Sequence, residues 1–474
     1  MKTECNQGSF GFHALGPREV VGRFDGGQIT SDGGGLLLRE TEQATAIISQ
    51  FAACFSDHRN PDLIEHTVEE LIAQRIYALA LGYEDLNDHD DLRCDPLLAV
   101  LVGKKDPLGR DRAREQNKGK ALAGKSTLNR LELTPVRANC DSRYKKITVD
   151  RQAVLRLFTE LFVQSYDAPP ERIILDLDAT DDLVHGHQSG RFFHGYYKNY
   201  CYLPLYIFCG EHLLGARLRP SNIDASAGSV KELERIVSQI REDWPHVRIV
   251  IRGDSGFCRE HIMAWCEANN VDFLLGLAKN KRLIEELAGE LDQAKQQYEA
   301  TGKPARLFKD FIYQTRKSWS RPRRTVGKAE HLAKGANPRF VVTSIAADQI
   351  EAQPLYENEY CARGNMENRI KEQQLNLFAD RTSAATMRAN ELRLWFSSLA
   401  YTLVNALRRL GLKGTELAKA QCGTIRLKLL KIGAQIRVTV RKVWVSLAES
   451  YPYRDVFQQV YEHLRRLRPM PLRC

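Results

Sequence analysis

The sequence has no C-x2-C pair. Its eleven cysteines are scattered, the closest being Cys201/Cys209 and Cys258/Cys266, so a zinc ribbon or finger is not expected. The odd count and the lack of a secretory leader point to reduced thiols in the cytoplasm. No apolar run is long and charge-free enough to span a bilayer, so no membrane association is expected. Nucleotide loops are missing too. The glycines Gly33, Gly34 and Gly35 are not followed by G-K-[ST]. The GKST at Gly124–Thr127 lacks both the upstream glycine at Walker spacing and a preceding strand. Asp85, Asp88, Asp90 and Asp91 lack the glycine and closing glutamate of a calcium loop, so a solvated loop or helix cap is expected. His185 and His187 lack the helical spacing of a zinc protease motif and read as a loop.

Acidic residues are scarce in two places. From Arg316 to Lys328 there are six Arg/Lys and no acid, and from Arg408 to Cys474 fifteen Arg/Lys against four acids. Over the 474 residues the net charge is +10, with 43% hydrophobic residues. A sizeable core is therefore available, and the cationic excess favours a polyanionic partner, a nucleic acid above all.

Along the chain, EHTVEELIAQRIYALALGY puts Val68, Leu71, Ile72, Ile76, Leu79 and Ala80 on one stripe of a helix ending at Gly82. Residues 103–130 are basic and poor in large apolar groups. At Ile173 the pattern changes. RIILDLDAT reads as a buried strand, followed by strand-like segments Gly195–Tyr202, Leu203–Phe208 and Leu213–Arg217. A helix over residues 226–242, a strand in VRIVIRGD, a helix Arg259–Asn269 and a strand Val271–Leu277 complete the series. Lys281–Ala300 reads as one charged helix, and Leu307–Gln314 and Phe340–Ile345 as strands around the first basic run. Residues 388–411 form an apolar helix, Ala434–Leu447 alternates like a strand, and Arg454–Leu467 is a terminal helix.

The stretch YCARGNMENRIKEQQ, Tyr360–Gln374, reads as a helix. At about 100° per residue, Tyr360, Arg363, Glu367, Lys371 and Gln374 share a polar face with one carboxylate flanked by cations. Two strand ends supply further acids, Asp178 in LDLDAT and Asp254 in IRGDSGF. Asp176 competes with Asp178, since residues two apart in a strand point the same way; Asp178 is preferred because Asp176 is nearer the buried run. Asp181 and Asp182 are candidate supporting groups. Phosphoryl transfer with two divalent ions needs a shared carboxylate and one further ligand for each ion. Asp178, Asp254 and Glu367 are both the candidate catalytic residues and the candidate metal ligands.

With these residues the chain resembles bacterial insertion-sequence transposases of the DDE type, in the group with a Y-x2-R-x3-E helix and a β insertion before the glutamate. The matching residues are Asp178, Asp254, Glu367, Tyr360 and Arg363. The pieces TSDGGGLLLRE and LALGYEDLNDHDDLRCDP extend the resemblance over nearly the whole chain. The family pattern has a lysine seven residues after the glutamate. Here that position is Gln374, and Lys371 one turn earlier is a substitute phosphate contact. The resemblance implies a ribonuclease H-like α/β core, a mixed sheet flanked by helices, with an inserted β-rich subdomain and helical terminal regions. The corresponding segments are 1–150 (mostly helical, DNA-binding), 151–277 (first part of the core), 278–350 (insertion), 351–410 (last part of the core, with the glutamate helix) and 411–474 (basic). It further implies two Mg²⁺ ions, replaceable by Mn²⁺, cleavage at terminal inverted repeats and strand transfer into target DNA. A homodimer would hold the two ends, in the cytoplasm at the nucleoid. Arg363, Lys371 and Tyr360 would contact DNA. In the insertion, Trp319 would stack on an unpaired base, with Arg321, Arg323 and Arg324 beside it. A nuclease of the same fold, or a silent DNA-binding protein, is the alternative.

Overall fold

The computed structural model describes residues 8–467. The chain forms two compact units, Val149–Thr402 and Met1–Thr148 with Leu403–Cys474.

The unit Val149–Thr402 is built on one mixed sheet. Its first strand is β1 (Arg172–Ala179), followed by β2 (Leu205–Cys209), β3 (His212–Arg217), β4 (Arg248–Gly253) and β5 (Asp272–Leu277). Three more follow, β6 (Ala305–Tyr313), β7 (Arg323–Leu332) and β8 (Arg339–Thr343). The order across the sheet is β3-β2-β1-β4-β5-β8-β7-β6. β1, β2 and β3 are antiparallel neighbours, whereas β4 runs parallel to both β1 and β5. β5, β8, β7 and β6 then alternate in direction. The strands of residues 278–350 thus continue the same sheet.

Alternation within β1 explains its place. Ile173, Leu175 and Leu177 face one buried cluster with Ile249, Ile251, Phe273 and Leu275 from β4 and β5. That cluster also holds Ile236 and Ile240 of α1 (Ser229–Asp243) and Ile262 and Met263 of α2 (Glu260–Ala268). Each fully buried aliphatic side chain of this kind contributes about 1.5–3 kcal/mol. The opposite face carries Ile174, Val250, Leu274 and Val341, packed with Leu355 and Tyr356. That face also presents Asp176 and Asp178, the next two members of the i, i+2 series.

Two expectations change here. The charged helix Lys281–Ala300 is two helices, Lys281–Glu286 and Ala288–Thr301, broken at Leu287. The basic run is half strand: Arg323–Lys328 enter β7, which lies between β6 and β8, and Arg323 and Arg324 meet acids on other elements.

In the other unit, the helix Val68–Leu81 starts at a capping box of Thr67 and Glu70 and ends at Gly82 with φ 99°. It is buried all round from Leu71 to Leu81, as a central helix is. The glycine run forms a short 3-10 turn, Gly33–Gly35. A side chain at Gly34 would collide with the Leu429 carbonyl, so close backbone approach accounts for a glycine there. The alternating segment near the C-terminus is a hairpin, Ala434–Val438 with Val443–Leu447, and Gln28–Thr30 pairs with its first strand. Among the described residues no helix is long and apolar enough to cross a membrane.

Candidate active site

Parallel register sets the first two acids side by side. Leu177 of β1 is the partner of Gly253 of β4. One step further along each strand stand Asp178 and Asp254, on backbones about 4.8 Å apart. The Ala179 amide donates to Asp178 Oδ1 (2.9 Å) and the Gly256 amide to Asp254 Oδ1 (2.8 Å). These bonds fix both carboxyls and leave their second oxygens for other partners.

The third acid comes from a helical segment that begins earlier than its sequence suggests. After Ala352–Pro354 there is a π turn, Leu355–Tyr360, then a 3-10 turn, Cys361–Arg363, then α3 (Gly364–Leu377). A π turn widens the helix by one residue and is often found at functional sites. Arg363 bridges the acids. It donates to Glu367 Oε1 at 2.6 Å and lies 3.6 Å from Asp178 Oδ2. The Tyr360 hydroxyl rests over Gly276 of β5, beside the Asp254–Ser255 backbone; any side chain at 276 would occupy its place.

Electrostatics tie these groups into one site. Burial pushes the Asp178 carboxyl up to about 6; Arg363 pulls it down, and Asp254 and Glu367 push it up. Tyr360 is raised, again mainly by burial, with Arg363 and Asp254 acting in opposite senses. The guanidinium of Arg363 loses to burial and gains from Asp178, Tyr360, Glu367 and Asp254, with a net rise.

Asp176 is placed differently. It is 3% exposed and takes two hydrogen bonds from Arg252, its register partner on β4, at 2.5 and 2.8 Å. Arg252 also donates to the Glu359 carbonyl. Asp176 is therefore half of a buried ion pair, whereas Asp178 retains an oxygen without a close donor.

The remaining sequence candidates separate. Lys371 is exposed on α3. Gln374 turns inward and donates to Asp182 Oδ1 (2.9 Å) and the Asp181 carbonyl (3.3 Å). Trp319, 7% exposed, packs edge-on to Tyr313 with the Arg323 guanidinium 5.6 Å from its ring. Arg323 is committed to Glu260 and Glu267 by four hydrogen bonds of 2.7–3.1 Å. Arg324 bonds Asp310 and the carbonyls of Ile345 and Ile350. Arg321 reaches Glu267 at 2.9 Å with its side chain 58% exposed. The expected stacking ring and two of its arginines are thus engaged within the fold, since acids distant in sequence neutralise the run.

Tyr197 was not singled out in the sequence. Its hydroxyl donates to the Ala179 carbonyl (3.2 Å), and burial, with Asp181, Asp178 and Asp254, raises it. Only the aromatic, basic character of the loop after Asp178 signals it. His187, also in that loop, meets Arg191 at 2.8 Å.

The donor set is chemically suited to a hard divalent cation: Asp178, Asp254 and Glu367 offer carboxylate oxygens. Among the described residues no three His, Cys, Asp or Glu side chains converge closely enough to hold an ion. Arg363 is the group that balances their charge here.

A second basic feature lies within the unit that holds the N-terminal segment. A cleft of about 640 Å³ is lined by Arg59, Arg93, Arg112, Arg114, Lys120, Arg130 and Lys146 against Asp62, Glu65 and Asp90. Arg130 and Arg143 stack on the exposed Tyr144 ring.

No curated protein matches the sequence. Carboxylates at two neighbouring strand ends and on one helix, joined through an arginine, agree with the family comparison: residues 12–469 match the model for the transposase DDE domain group 1, and the chain belongs to that family.

Proposed function

We propose that this transposase cuts DNA at the terminal inverted repeats of its element and joins the freed 3′-hydroxyl to target DNA. The observation that carries the reading is the contact of one guanidinium, Arg363, with both Asp178 and Glu367, while Asp254 sits one strand away. Asp178, Asp254 and Glu367 would hold two Mg²⁺ ions, with Mn²⁺ able to substitute. When bound, such ions supply Lewis-acid stabilisation of charge on the scissile phosphate. Arg363 would turn from its carboxylates to a phosphate oxygen, a charge-assisted contact, with Lys371 available beyond it. Tyr360, seated over Gly276, would hold the helix at its height above the strand ends.

The strand order β3-β2-β1-β4-β5, three antiparallel strands followed by two parallel ones, supports a ribonuclease H-like core, with residues 278–350 as its insertion. The basic cleft supports DNA binding by the N-terminal region. Two transposon ends call for a homodimer, acting at the nucleoid.

The test is cleavage of a labelled duplex carrying the element's own terminal repeat, in Mg²⁺, by wild type and Glu367→Gln. Nicking at the repeat boundary by wild type alone supports the assignment, and strand-transfer products distinguish a transposase from a nuclease. Binding without cutting by both proteins, in Mg²⁺ and in Mn²⁺, refutes it.

A further inference from the structure

The segment after Asp178 exposes more aromatic surface than a free surface normally carries. Strands Phe192–His194 and Asn199–Tyr202 form a short hairpin. On it Phe193 is 58% exposed, Tyr196 83% and Tyr200 50%. Phe193 and Tyr200 are cross-strand partners with ring centroids 5.7 Å apart. The Arg191 guanidinium lies 4.5 Å from the Tyr200 ring, and Tyr197 packs against Tyr196 and His194. No Asp or Glu occurs from Val184 to Gly210, while Arg191, Lys198 and three histidines do.

Asp182–Leu183 pairs with the second strand and ties the hairpin to the segment after Asp178, and clustered exposed rings mark an interaction site. Rings interleaved with cations and free of acids are the composition that binds single-stranded nucleic acid: the rings stack on bases and the cations meet phosphates. The location selects the strand. Tyr197, at the hairpin's turn, is bonded to the residue that follows Asp178.

We propose that the hairpin Phe192–Tyr202 is a stacking platform for unpaired DNA bases beside the bond that is cut. Phe193, Tyr196 and Tyr200 are its rings, and Arg191 and Lys198 its phosphate contacts. Trp319, a ring the sequence offered for this task, is buried. The platform lowers the cost of opening the duplex end, so its effect is largest on fully paired DNA. This assignment rests on the reading of the carboxylates as a DNA-cleaving site.

The test uses the full chain with Phe193→Ala, Tyr196→Ala and Tyr196→Phe. Binding of a fluorescent oligothymidylate is followed by anisotropy in EDTA. Cleavage is compared on a paired terminal-repeat duplex and on one mismatched at the bases flanking the cut. Each alanine variant is expected to bind the single strand about fivefold or more weakly. Each should also cut the paired duplex more slowly, with most of the rate restored by the mismatched one; Tyr196→Phe should match wild type in both. Unchanged single-strand affinity, or equal slowing on both duplexes, overturns the platform. If wild type cuts and the alanine variants bind and cut like it, the platform falls and the transposase reading stands. If wild type binds the single strand through these rings yet cuts neither duplex, the stacking assignment holds and the cleavage reading is what fails.

Discussion

Asp176→Asn and Asp178→Asn should have opposite effects on stability, although the residues are two apart on one strand face. Asp176 is 3% exposed and Arg252 6%. Their two hydrogen bonds are 2.5 and 2.8 Å, and the Glu359 carbonyl is a further partner of the buried guanidinium. Breaking a buried pair costs about 3–5 kcal/mol, because the other charge stays behind. Burial raises the Asp176 carboxyl as well, against the pull of Arg252, and offsets part of this cost, so Asp176→Asn, which keeps one acceptor, should cost about 2–3 kcal/mol. At Asp178 the rise from 3.8 to about 6 corresponds to about 3 kcal/mol in favour of the neutral form. Near pH 7.5 the folded chain holds this carboxylate ionised at that cost, so Asp178→Asn should stabilise it by about 1–3 kcal/mol in metal-free buffer. The assay is urea unfolding in EDTA at that pH, with the terminal-repeat cleavage assay run on the same preparations. Asp178→Asn should be more stable than wild type and unable to cut. The reasoning is refuted if Asp176→Asn unfolds within 1 kcal/mol of wild type while Asp178→Asn loses several.

Three further outcomes follow from contacts already described. Arg323→Ala removes four hydrogen bonds from Glu260 and Glu267 of α2, which keep Ser320 and Arg321 as partners, and should lower stability by about 1–3 kcal/mol; DNA affinity at a temperature where it is folded should stay near that of wild type, and a large loss there would return Arg323 to the DNA surface. His66 accepts from Arg112 at 2.8 Å, and burial, with Arg112, Lys104 and Arg59, holds it down at about 3. The unfolded chain protonates this imidazole near 6.5 and the folded chain does not. Its contribution is therefore intact above 6.5 and lost on acidification, by about 3 kcal/mol at about pH 4; His66→Gln should flatten that part of the stability curve, and an unchanged pH profile would dismiss the idea. Gln374→Ala removes a donor from Asp182, a fully buried acid whose other oxygen has no hydrogen-bond partner among the described residues. A loss of about 1–3 kcal/mol is expected by thermal melting, and no change would show that Asp182 does not depend on it.

Local sequence determined the ingredients. The runs RIILDLDAT and VRIVIRGD are apolar and β-branched and end in aspartates, so they specify buried strands whose acids emerge at the ends. Spacing placed Arg363 and Glu367 one helical turn apart, where they pair. Helix Val68–Leu81 and its glycine stop were legible for the same reason: capping and periodicity act over a few residues.

What the tertiary structure decided concerns partners distant in the chain. Asp176 and Asp178 look alike in sequence, and only the register of β4 gives Arg252 to the first and leaves Asp254 beside the second. The run around Arg323 seemed a free basic surface because its neutralising acids, Glu260, Glu267 and Asp310, lie on other elements. Trp319 was buried by that same pairing, while the rings after Asp178 stayed exposed on a hairpin too small to fold over them. Coulomb and burial energies depend on distance in space, and a linear sequence fixes such distances only within a helical turn or along a strand.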